Sequence, residues 1–145
     1  MNYRIAISAD HRGFLLKQYL MNECKDIQWT DYGSYTSERT DYPLFVPPVI
    51  KALKTGLVEY GILICGTGIG MAIAANRYKN IYAGVVWNAD LARLSKEDDN
   101  VNILVLPADF ITQDEAFLCV TSWLTASFKK GRYQDRLLLV DSQDI

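Results

Sequence analysis

Short apolar runs alternate along this chain with segments whose apolar residues recur every three or four positions. Five runs have strand-like composition, namely Tyr3–Ser8, Gln28–Tyr32, Tyr60–Ile64, Tyr82–Trp87 and Asn102–Leu106. They are apolar nearly throughout, which is typical of strands covered on both faces. Because strands that alternate with helices form parallel sheets, the pattern predicts an α/β fold with helices on both sides of one sheet.

Spacing and capping signals predict the helices between these strands. Leu16 and Leu20 belong to an apolar stripe with four-residue spacing that predicts a helix after the first strand. Near the C-terminus, Thr112-Gln-Asp-Glu115 has the pattern of a capping box ahead of another apolar stripe. Lys129-Lys130-Gly131 has the composition of a helix end, so we expect that helix to end there.

The second predicted helix, over Pro43–Lys54, contains two adjacent prolines. Pro47 and Pro48 lie where its interior would be. Proline has no backbone N–H and disrupts a helix interior, but it is accepted in the first turn. This helix is therefore expected either to begin near Pro47 or to be kinked there.

Length and composition narrow the possible classes of protein. The 145 residues are 50% hydrophobic, which predicts a single domain over residues 1–145 with a sizeable core. A net charge of -2 provides no general attraction to nucleic acid or to anionic membranes, so neither is expected as a partner. Every apolar stretch is far shorter than the roughly 20 residues of a membrane span, and the N-terminal residues lack signal-peptide features.

The cysteines give a further indication of environment. Cys24, Cys65 and Cys119 lie far apart and form no CxxC pair. An odd number of separated cysteines argues against a disulfide framework and against a zinc site, so we expect no metal and a reducing, cytoplasmic location. Cys24 and Cys119 lie on apolar helix faces and are predicted as core residues.

Cys65 lies in the segment that carries the clearest chemical signal. An apolar strand ends at this cysteine, a loop with glycine at every second position follows, and Met71–Arg77 is predicted to be helical. A strand, a glycine loop and a helix start in this order direct several backbone N–H groups towards one point. A thiol beside that point can ionise more easily, so the segment offers a base or nucleophile next to an oxyanion site.

Two more loops with polar side chains follow neighbouring strands. Ser8-Ala-Asp10-His11-Arg12-Gly13 comes after the first strand, and Tyr35–Pro43 comes after the second. Ligands of parallel sheets bind beyond the carboxyl ends of the strands. We therefore expect a site at that edge, built from these two loops and the loop that follows Cys65.

The chain resembles a known family in segments spread over nearly its whole length. These are Asp10-His11-Arg12-Gly13, Ser37-Glu38-Arg39-Thr40-Asp41-Tyr42-Pro43, Gly61-Ile-Leu-Ile-Cys65-Gly-Thr-Gly-Ile-Gly70, Ala74-Ala75-Asn76 and Gly131-Arg132-Tyr133-Gln134-Asp135-Arg136. Together they resemble the B-type ribose-5-phosphate isomerases, a family that includes galactose-6-phosphate and allose-6-phosphate isomerases. The resemblance implies a Rossmann-like three-layer α/β/α sandwich with a five-stranded parallel sheet in the order 2-1-3-5-4. It also implies a homodimer, often paired into a tetramer, with active sites shared between subunits and no metal or organic cofactor.

The same resemblance implies a role for each candidate residue in an aldose–ketose isomerisation of a phosphosugar. Cys65 would take the carbon-bound proton, and Thr67 would help to move a proton between the two substrate oxygens. Other residues would bind the substrate. The backbone of Gly66, Gly68, Ile69 and Gly70 would hold the enediolate, and Asp10 and Tyr42 would bind the sugar hydroxyls. The phosphate would be bound by His11, Arg132 and Arg136, and Asn100 would be a further substrate-binding residue.

Two positions depart from the family pattern. Asp98 stands where the family commonly has a histidine that helps to open the sugar ring, and His11 is the only histidine in the chain. An aspartate can act as a base in ring opening, so the resemblance implies a catalytic role for Asp98. Asp109 stands where many members have a phosphate-binding arginine. Both changes remove positive charge from the expected phosphate end, so substrate affinity and ring opening are the properties that they affect.

Simpler interpretations compete with these roles. Cys65 is also explained as a small hydrophobic residue at the end of a buried strand. Asp10 is explained as the N-cap of the first helix, alone or in addition to binding a ligand. Arg132 and Arg136 are four residues apart, as expected of a solvated helix face. Three functions therefore stay open beside a ribose 5-phosphate isomerase: an isomerase of a six-carbon sugar phosphate, a phosphosugar-binding protein with little catalysis, and a nucleotide-binding module.

Overall fold

A computed structural model describes residues 2–143 and contains one five-stranded sheet. The strands are β1 (Tyr3–Ala9), β2 (Ile27–Asp31), β3 (Tyr60–Cys65), β4 (Ala83–Val85) and β5 (Ile103–Pro107). Every pair of neighbours is parallel, and the order is β2-β1-β3-β5-β4. The predicted α/β class and strand order are therefore confirmed.

Helices cover both faces of the sheet. They are α1 (Phe14–Glu23), α2 (Pro47–Lys54), α3 (Ile69–Ala75), α4 (Ala89–Asp99), α5 (Gln113–Thr125) and α6 (Arg132–Asp141). Helices α1, α4 and α5 pack on one face, where fully buried Ile62 and Leu104 meet Trp123. Helices α2 and α3 pack on the other face, where Val49 and Met71 meet the opposite side chains of the same strands. The result is the expected three-layer sandwich. The longest described helix has 13 residues, and none in residues 2–143 is long and apolar enough to cross a membrane.

The prolines of the second helix lie at its start. Helix α2 begins at Pro47, and Pro43 belongs to a separate 3-10 turn over Tyr42–Phe45. A proline in the first helical turn removes an N–H that would have no intrahelical acceptor. Of the two alternatives left open by the sequence, the late start is therefore the correct one.

Other boundaries differ from their predictions. Helix α5 ends at Thr125, so the prediction that it continues to Lys129-Lys130-Gly131 is wrong. Gly131, at φ +57°, instead directly precedes α6, and the Lys129 N–H donates to the Glu97 carbonyl at 2.9 Å. The signal marked a helix boundary, but the boundary is the beginning of α6. Helix α3 begins two residues before the predicted Met71.

Cys24 and Cys119 are buried, as expected for core residues. Cys24 is 6% exposed and Cys119 is fully buried against the α1–α5 side of the sheet. Burial raises the pKa of each thiol to about 11. These two cysteines are therefore protonated at neutral pH.

Candidate active site

The loops that follow β1, β3 and β5 meet at one edge of the sheet, called here the carboxyl edge. The register pairs Ala9 with Ile64 and Cys65 with Pro107. Just beyond these pairs, the Asp10 N–H donates to the Ile64 carbonyl at 3.1 Å, and the Ala108 N–H donates to the Cys65 carbonyl at 2.8 Å. Side chains that leave the ends of these strands therefore start within a few ångströms of Cys65.

The glycine loop folds back over the sulfur of Cys65. This residue is 5% exposed, and the Gly68 N–H donates to its Sγ at 3.2 Å. Gly68 has φ +77°, a left-handed conformation that glycine adopts without strain. The neighbouring Ile69 N–H donates to Thr67 Oγ1 at 3.2 Å, and the Thr67 side chain is exposed. The candidate base and the candidate proton-transfer residue thus lie on one short loop, each in contact with its backbone.

Tyr42 reaches the same loop from the segment that follows β2. Its ring lies against Gly70 so closely that a Cβ at that position would be 2.6 Å from Tyr42 Cζ and 2.9 Å from the phenol oxygen. Gly70 therefore has no side chain because the tyrosine occupies that space. This contact brings the phenol of Tyr42 to the start of α3, beside the glycine loop.

Asp10 supports the backbone at the start of the first helix. It is 6% exposed, and its Oδ1 accepts hydrogen bonds from the N–H groups of Arg12 at 3.0 Å and Gly13 at 3.2 Å. Both bonds use one carboxylate oxygen, so Oδ2 can contact a ligand while Oδ1 stays engaged. The expectation that Asp10 is the N-cap is wrong, because α1 begins at Phe14 and its N-cap is Gly13. Asp10 instead holds the turn that leads into α1, which is compatible with binding a ligand through Oδ2.

His11 is held by two hydrogen bonds to a single residue. Its N–H donates to Thr40 Oγ1 at 2.9 Å, and its Nδ1 accepts from the Thr40 N–H at 3.2 Å. An imidazole that accepts at Nδ1 carries its proton at Nε2 when neutral, so Nε2 is the atom that can donate to an anion. Thr40 was not predicted as a site residue. Its position in the polar loop after β2 was the available signal.

Arg12 and Asp109 form an ion pair on top of the glycine loop, which the sequence analysis also missed. Arg12 Nη2 donates to Asp109 Oδ2. A Cβ at Gly66 would lie 2.6 Å from Arg12 Cζ and 2.7 Å from that carboxylate oxygen. Asp109 is also fixed through its backbone, because its N–H donates to the Gly66 carbonyl at 3.0 Å. The negative charge of Asp109 is therefore balanced by a neighbouring guanidinium.

Four candidate residues lie elsewhere in the chain: Asp98, Asn100, Arg132 and Arg136. Helix α4 leaves the carboxyl end of β4 and ends at Asp99, at the opposite edge of the sheet, called here the amino edge. There Asn102 Oδ1 accepts from the Tyr82 N–H at 2.9 Å, which joins the segments that precede β5 and β4. Strands of five residues are about 16 Å long, so Asp98 and Asn100 are remote from Cys65 of the same chain.

The amino-edge group has its own charge network. Lys129 Nζ lies 3.0 Å from Asp98 Oδ1, and this contact raises the pKa of Lys129. Burial and the adjacent Asp98 raise the pKa of Asp99, while Arg136 acts in the opposite direction. Arg132 and Arg136 lie 5.4 and 5.2 Å from the centre of the Tyr133 ring. The two arginines thus share one helix face, close to Asp98 and Asp99.

The family of the chain follows from comparison with known proteins. The sequence model of the Ribose/Galactose Isomerase family matches residues 5–140. The chain belongs to this family. Every candidate site residue, from Asp10 to Arg136, lies within the matched range.

Members of the ribose/galactose isomerase family resemble the chain over nearly its full length. Ribose-5-phosphate isomerase B of Escherichia coli is 38% identical over 92% of this chain and 91% of its own. The crystal structure of a ribose 5-phosphate isomerase from Thermotoga maritima has a TM-score of 0.94 at 40% identity, covering 97% of this chain and 99% of that one. Ribose-5-phosphate isomerase B of Mycoplasma genitalium, solved with bound ribulose 5-phosphate, has a TM-score of 0.87 at 36% identity, covering 95% and 93%.

Within residues 2–143, no group of three or more His, Cys, Asp and Glu side chains is arranged to hold a metal ion.

Proposed function

We propose that this protein, as a single isomerase domain over residues 1–145, interconverts ribose 5-phosphate and ribulose 5-phosphate. The observation that carries the proposal is the thiol of Cys65, enclosed by a loop whose Gly68 N–H contacts the sulfur at 3.2 Å. A proton-transfer enzyme needs a base at this point and a binding protein does not, so the thiol favours the enzyme. The names of the full-length relatives, and the ribulose 5-phosphate bound to one of them, support the same reaction.

In this proposal Cys65 acts as the base. Its thiolate removes the proton on C2 of the aldose, and the electrons move into an enediolate across C1 and C2. The thiol then returns the proton to C1, which gives the ketose, while Thr67 moves a proton between the two oxygens. Backbone N–H groups of Gly66–Gly70 stabilise the negative oxygen, a contribution of about 3–4 kcal/mol for each donor in other enzymes.

Substrate binding is assigned to the side chains around the loop. Asp10, through Oδ2, and Tyr42, through its phenol, bind sugar hydroxyls, and His11 donates from Nε2 to the phosphate. These assignments are supported by the bonds that engage the other atoms of the same groups, Oδ1 of Asp10 and Nδ1 of His11.

The remaining residues, Asp98, Asn100, Arg132 and Arg136, are proposed to come from a second copy of the chain. They lie far from Cys65 of their own chain, and α6 has neighbouring apolar residues that are more than half exposed: Leu138, Leu139 and Val140. Burying this surface in a homodimer, with or without further pairing into a tetramer, would bring one copy's arginines to the other copy's Cys65. The two sites would then be shared between subunits.

The first experiment is a measurement of ribose 5-phosphate conversion by the purified protein without added metal, with Cys65→Ala assayed in parallel. We expect turnover in the native protein and a loss of at least about 1000-fold in the variant, which keeps the fold but has no base. Cys119→Ala is the matched control, because Cys119 is a buried core thiol on the other side of the sheet. It should keep its activity if it folds.

Other outcomes would redirect the proposal. Near-normal turnover by Cys65→Ala would remove Cys65 from the mechanism. Faster conversion of allose 6-phosphate or galactose 6-phosphate would replace the five-carbon substrate with a six-carbon one. Binding of ribose 5-phosphate without turnover would make the chain a phosphosugar-binding protein.

A cytoplasmic location is proposed because the cysteines are not paired in disulfides. All three cysteines are free and buried. Free thiols persist in a reducing compartment.

A further inference from the structure

The Arg12–Asp109 ion pair occupies a position that its contribution to folding does not explain. The side chains are 54% and 32% exposed, and ion pairs so accessible to water contribute little to stability. The pair nevertheless lies in direct contact with Gly66, the first residue of the loop that encloses Cys65. A charged group placed there affects whatever approaches the thiol.

The charges at the carboxyl edge favour a guanidinium at this position if the ligand is an anion. The loops after β1, β2 and β5 carry four carboxylates, Asp10, Glu38, Asp41 and Asp109, and two arginines, Arg12 and Arg39. A phosphate with up to two negative charges would be repelled by this excess of carboxylates unless a cation faced it. Arg12 is the cation in contact with the glycine loop.

The Arg12 guanidinium also has N–H donors with which it can bind an anion. It has five N–H donors, and in the described part of the chain its side chain makes one hydrogen bond, to Asp109 Oδ2. A carboxylate that holds one edge of a guanidinium fixes its plane and leaves other N–H groups for a second anion. The Asp109 backbone is itself tied to Gly66, so the guanidinium is oriented with respect to the loop.

From this geometry we infer that Arg12 binds the phosphate group of the substrate beside His11, and that Asp109 is the residue that positions it. The inference rests on the proposed function, and it adds a residue that the assignments above do not include. Asp109 then assists phosphate binding instead of weakening it. Its carboxylate orients the arginine that replaces the missing positive charge.

The test compares Arg12→Met with Arg4→Met. Arg4 is a matched control, because it is also half exposed and paired with a carboxylate, Glu59, but lies at the start of β1 on the amino edge. For each protein we would measure kcat and KM for ribose 5-phosphate, inhibition by inorganic phosphate, and thermal unfolding.

For Arg12→Met we expect KM to rise about 10- to 100-fold, as when a hydrogen bond to a charged group is lost. Inhibition by inorganic phosphate should weaken by a similar factor, and kcat should stay within about threefold. Arg4→Met should match the native protein in KM, in kcat and in its inhibition by inorganic phosphate. Arg12→Lys, which keeps the charge but loses the planar fork, should lie between the two and serves as the test if Arg12→Met does not fold.

Unchanged KM and unchanged phosphate inhibition in Arg12→Met would overturn the inference. So would a fall in kcat with unchanged phosphate inhibition, because Arg12 would then act on the reacting carbons. If the native protein has no turnover, the inference about Arg12 can still be tested by titrating the native protein and Arg12→Met with inorganic phosphate and following binding by phosphorus NMR. Binding that is lost in Arg12→Met would support the inference while the proposed function fails, and no binding to the native protein would overturn both.

Discussion

In several site residues, one atom of the side chain is hydrogen-bonded to the protein while another atom is able to bind a ligand. Oδ1 of Asp10 accepts from two backbone N–H groups of the turn before α1, and Nδ1 of His11 accepts from the Thr40 N–H. Each side chain is thereby fixed in orientation, while Oδ2 and Nε2 keep their hydrogen-bonding capacity. Side chains oriented in advance lose less conformational entropy when a ligand binds.

Lys96 is a buried lysine for which the proposed mechanism has no use. It is 3% exposed, and its Nζ lies 4.1 Å from the centre of the Tyr60 ring and 5.0 Å from that of Trp123. Its recorded hydrogen bond, to the Leu124 carbonyl, is long at 3.5 Å. Burial lowers the pKa of Lys96 to about 8, an effect that Glu59 partly opposes.

This lowered pKa makes the free energy of unfolding depend on pH. Between about pH 8 and the ordinary lysine pKa of 10.5, the unfolded chain holds a proton that the folded chain has released, so stability rises with pH. Relative to Lys96→Met, the native protein should gain on the order of 1 kcal/mol between pH 7 and pH 9. Urea unfolding of both proteins at the two pH values measures this difference, and a constant difference would contradict the prediction.

At the level of residues, sequence predicted the site wherever a side chain directly follows a recognisable strand. Cys65, Asp10 and His11 were placed correctly at the carboxyl edge for this reason. The contact between Arg12 and Asp109 was missed because it joins positions 97 residues apart, and only the sheet order brings them together. Local patterns contain no information about such a pairing.

Secondary structure elements were predicted best where capping chemistry and apolar spacing agree. Pro47 opens α2, and Thr112 and Glu115 form the expected capping box ahead of α5. The end of α5 was predicted wrongly, because the backbone becomes extended at Ala126 and the following lysines and Gly131 precede another helix. A glycine after two lysines marks a boundary without indicating which helix it belongs to.

The capping box of α5 gives a prediction about stability alone. Thr112 Oγ1 accepts from the Glu115 N–H at 3.1 Å, and Glu115 Oε1 accepts from the Thr112 N–H at 3.0 Å. Thr112→Ala should lower the free energy of unfolding by about 1 kcal/mol without changing KM. Thr125→Ala, at the other end of the same helix, is the control and should change stability by less than about 0.5 kcal/mol. Equal losses in the two variants would show that the cap has no special role.

The strand order determines the arrangement of the whole molecule. With β1 and β5 on either side of β3, the loops that carry Asp10 and Asp109 flank Cys65 at one edge. Helix α4 connects two parallel strands, β4 and β5, and therefore runs back to the amino edge, so Asp98 and the glycine loop are separated within one chain. The sequence pattern predicted a parallel sheet, and the family resemblance predicted this strand order correctly. The separation itself appears only when the direction of each helix across the sheet is followed.

If sites are shared between subunits, two inactive variants should complement each other. Cys65→Ala lacks the base, and a chain with Arg132→Ala and Arg136→Ala lacks the proposed phosphate ligands from the partner. Mixed dimers contain one complete site, so equal amounts, allowed to exchange subunits, should recover about a quarter of native activity.

Two controls accompany the mixture. Each variant is assayed alone at the same total concentration, and Cys65→Ala is mixed with itself. No recovery in a mixture that demonstrably forms mixed dimers would mean that each chain builds its own site.

The Arg12–Asp109 pair limits how this chain can change during evolution. Loss of the arginine alone leaves an unpaired carboxylate against Gly66, where the substrate must approach. Loss of the aspartate alone leaves the guanidinium without its anchor. Each single loss should therefore weaken phosphate binding, and a double replacement preserves that binding only where another cation takes the place of Arg12. We therefore expect the residues at positions 12 and 109 to change together, and not singly, among the descendants of this protein, although the two positions lie far apart in the gene.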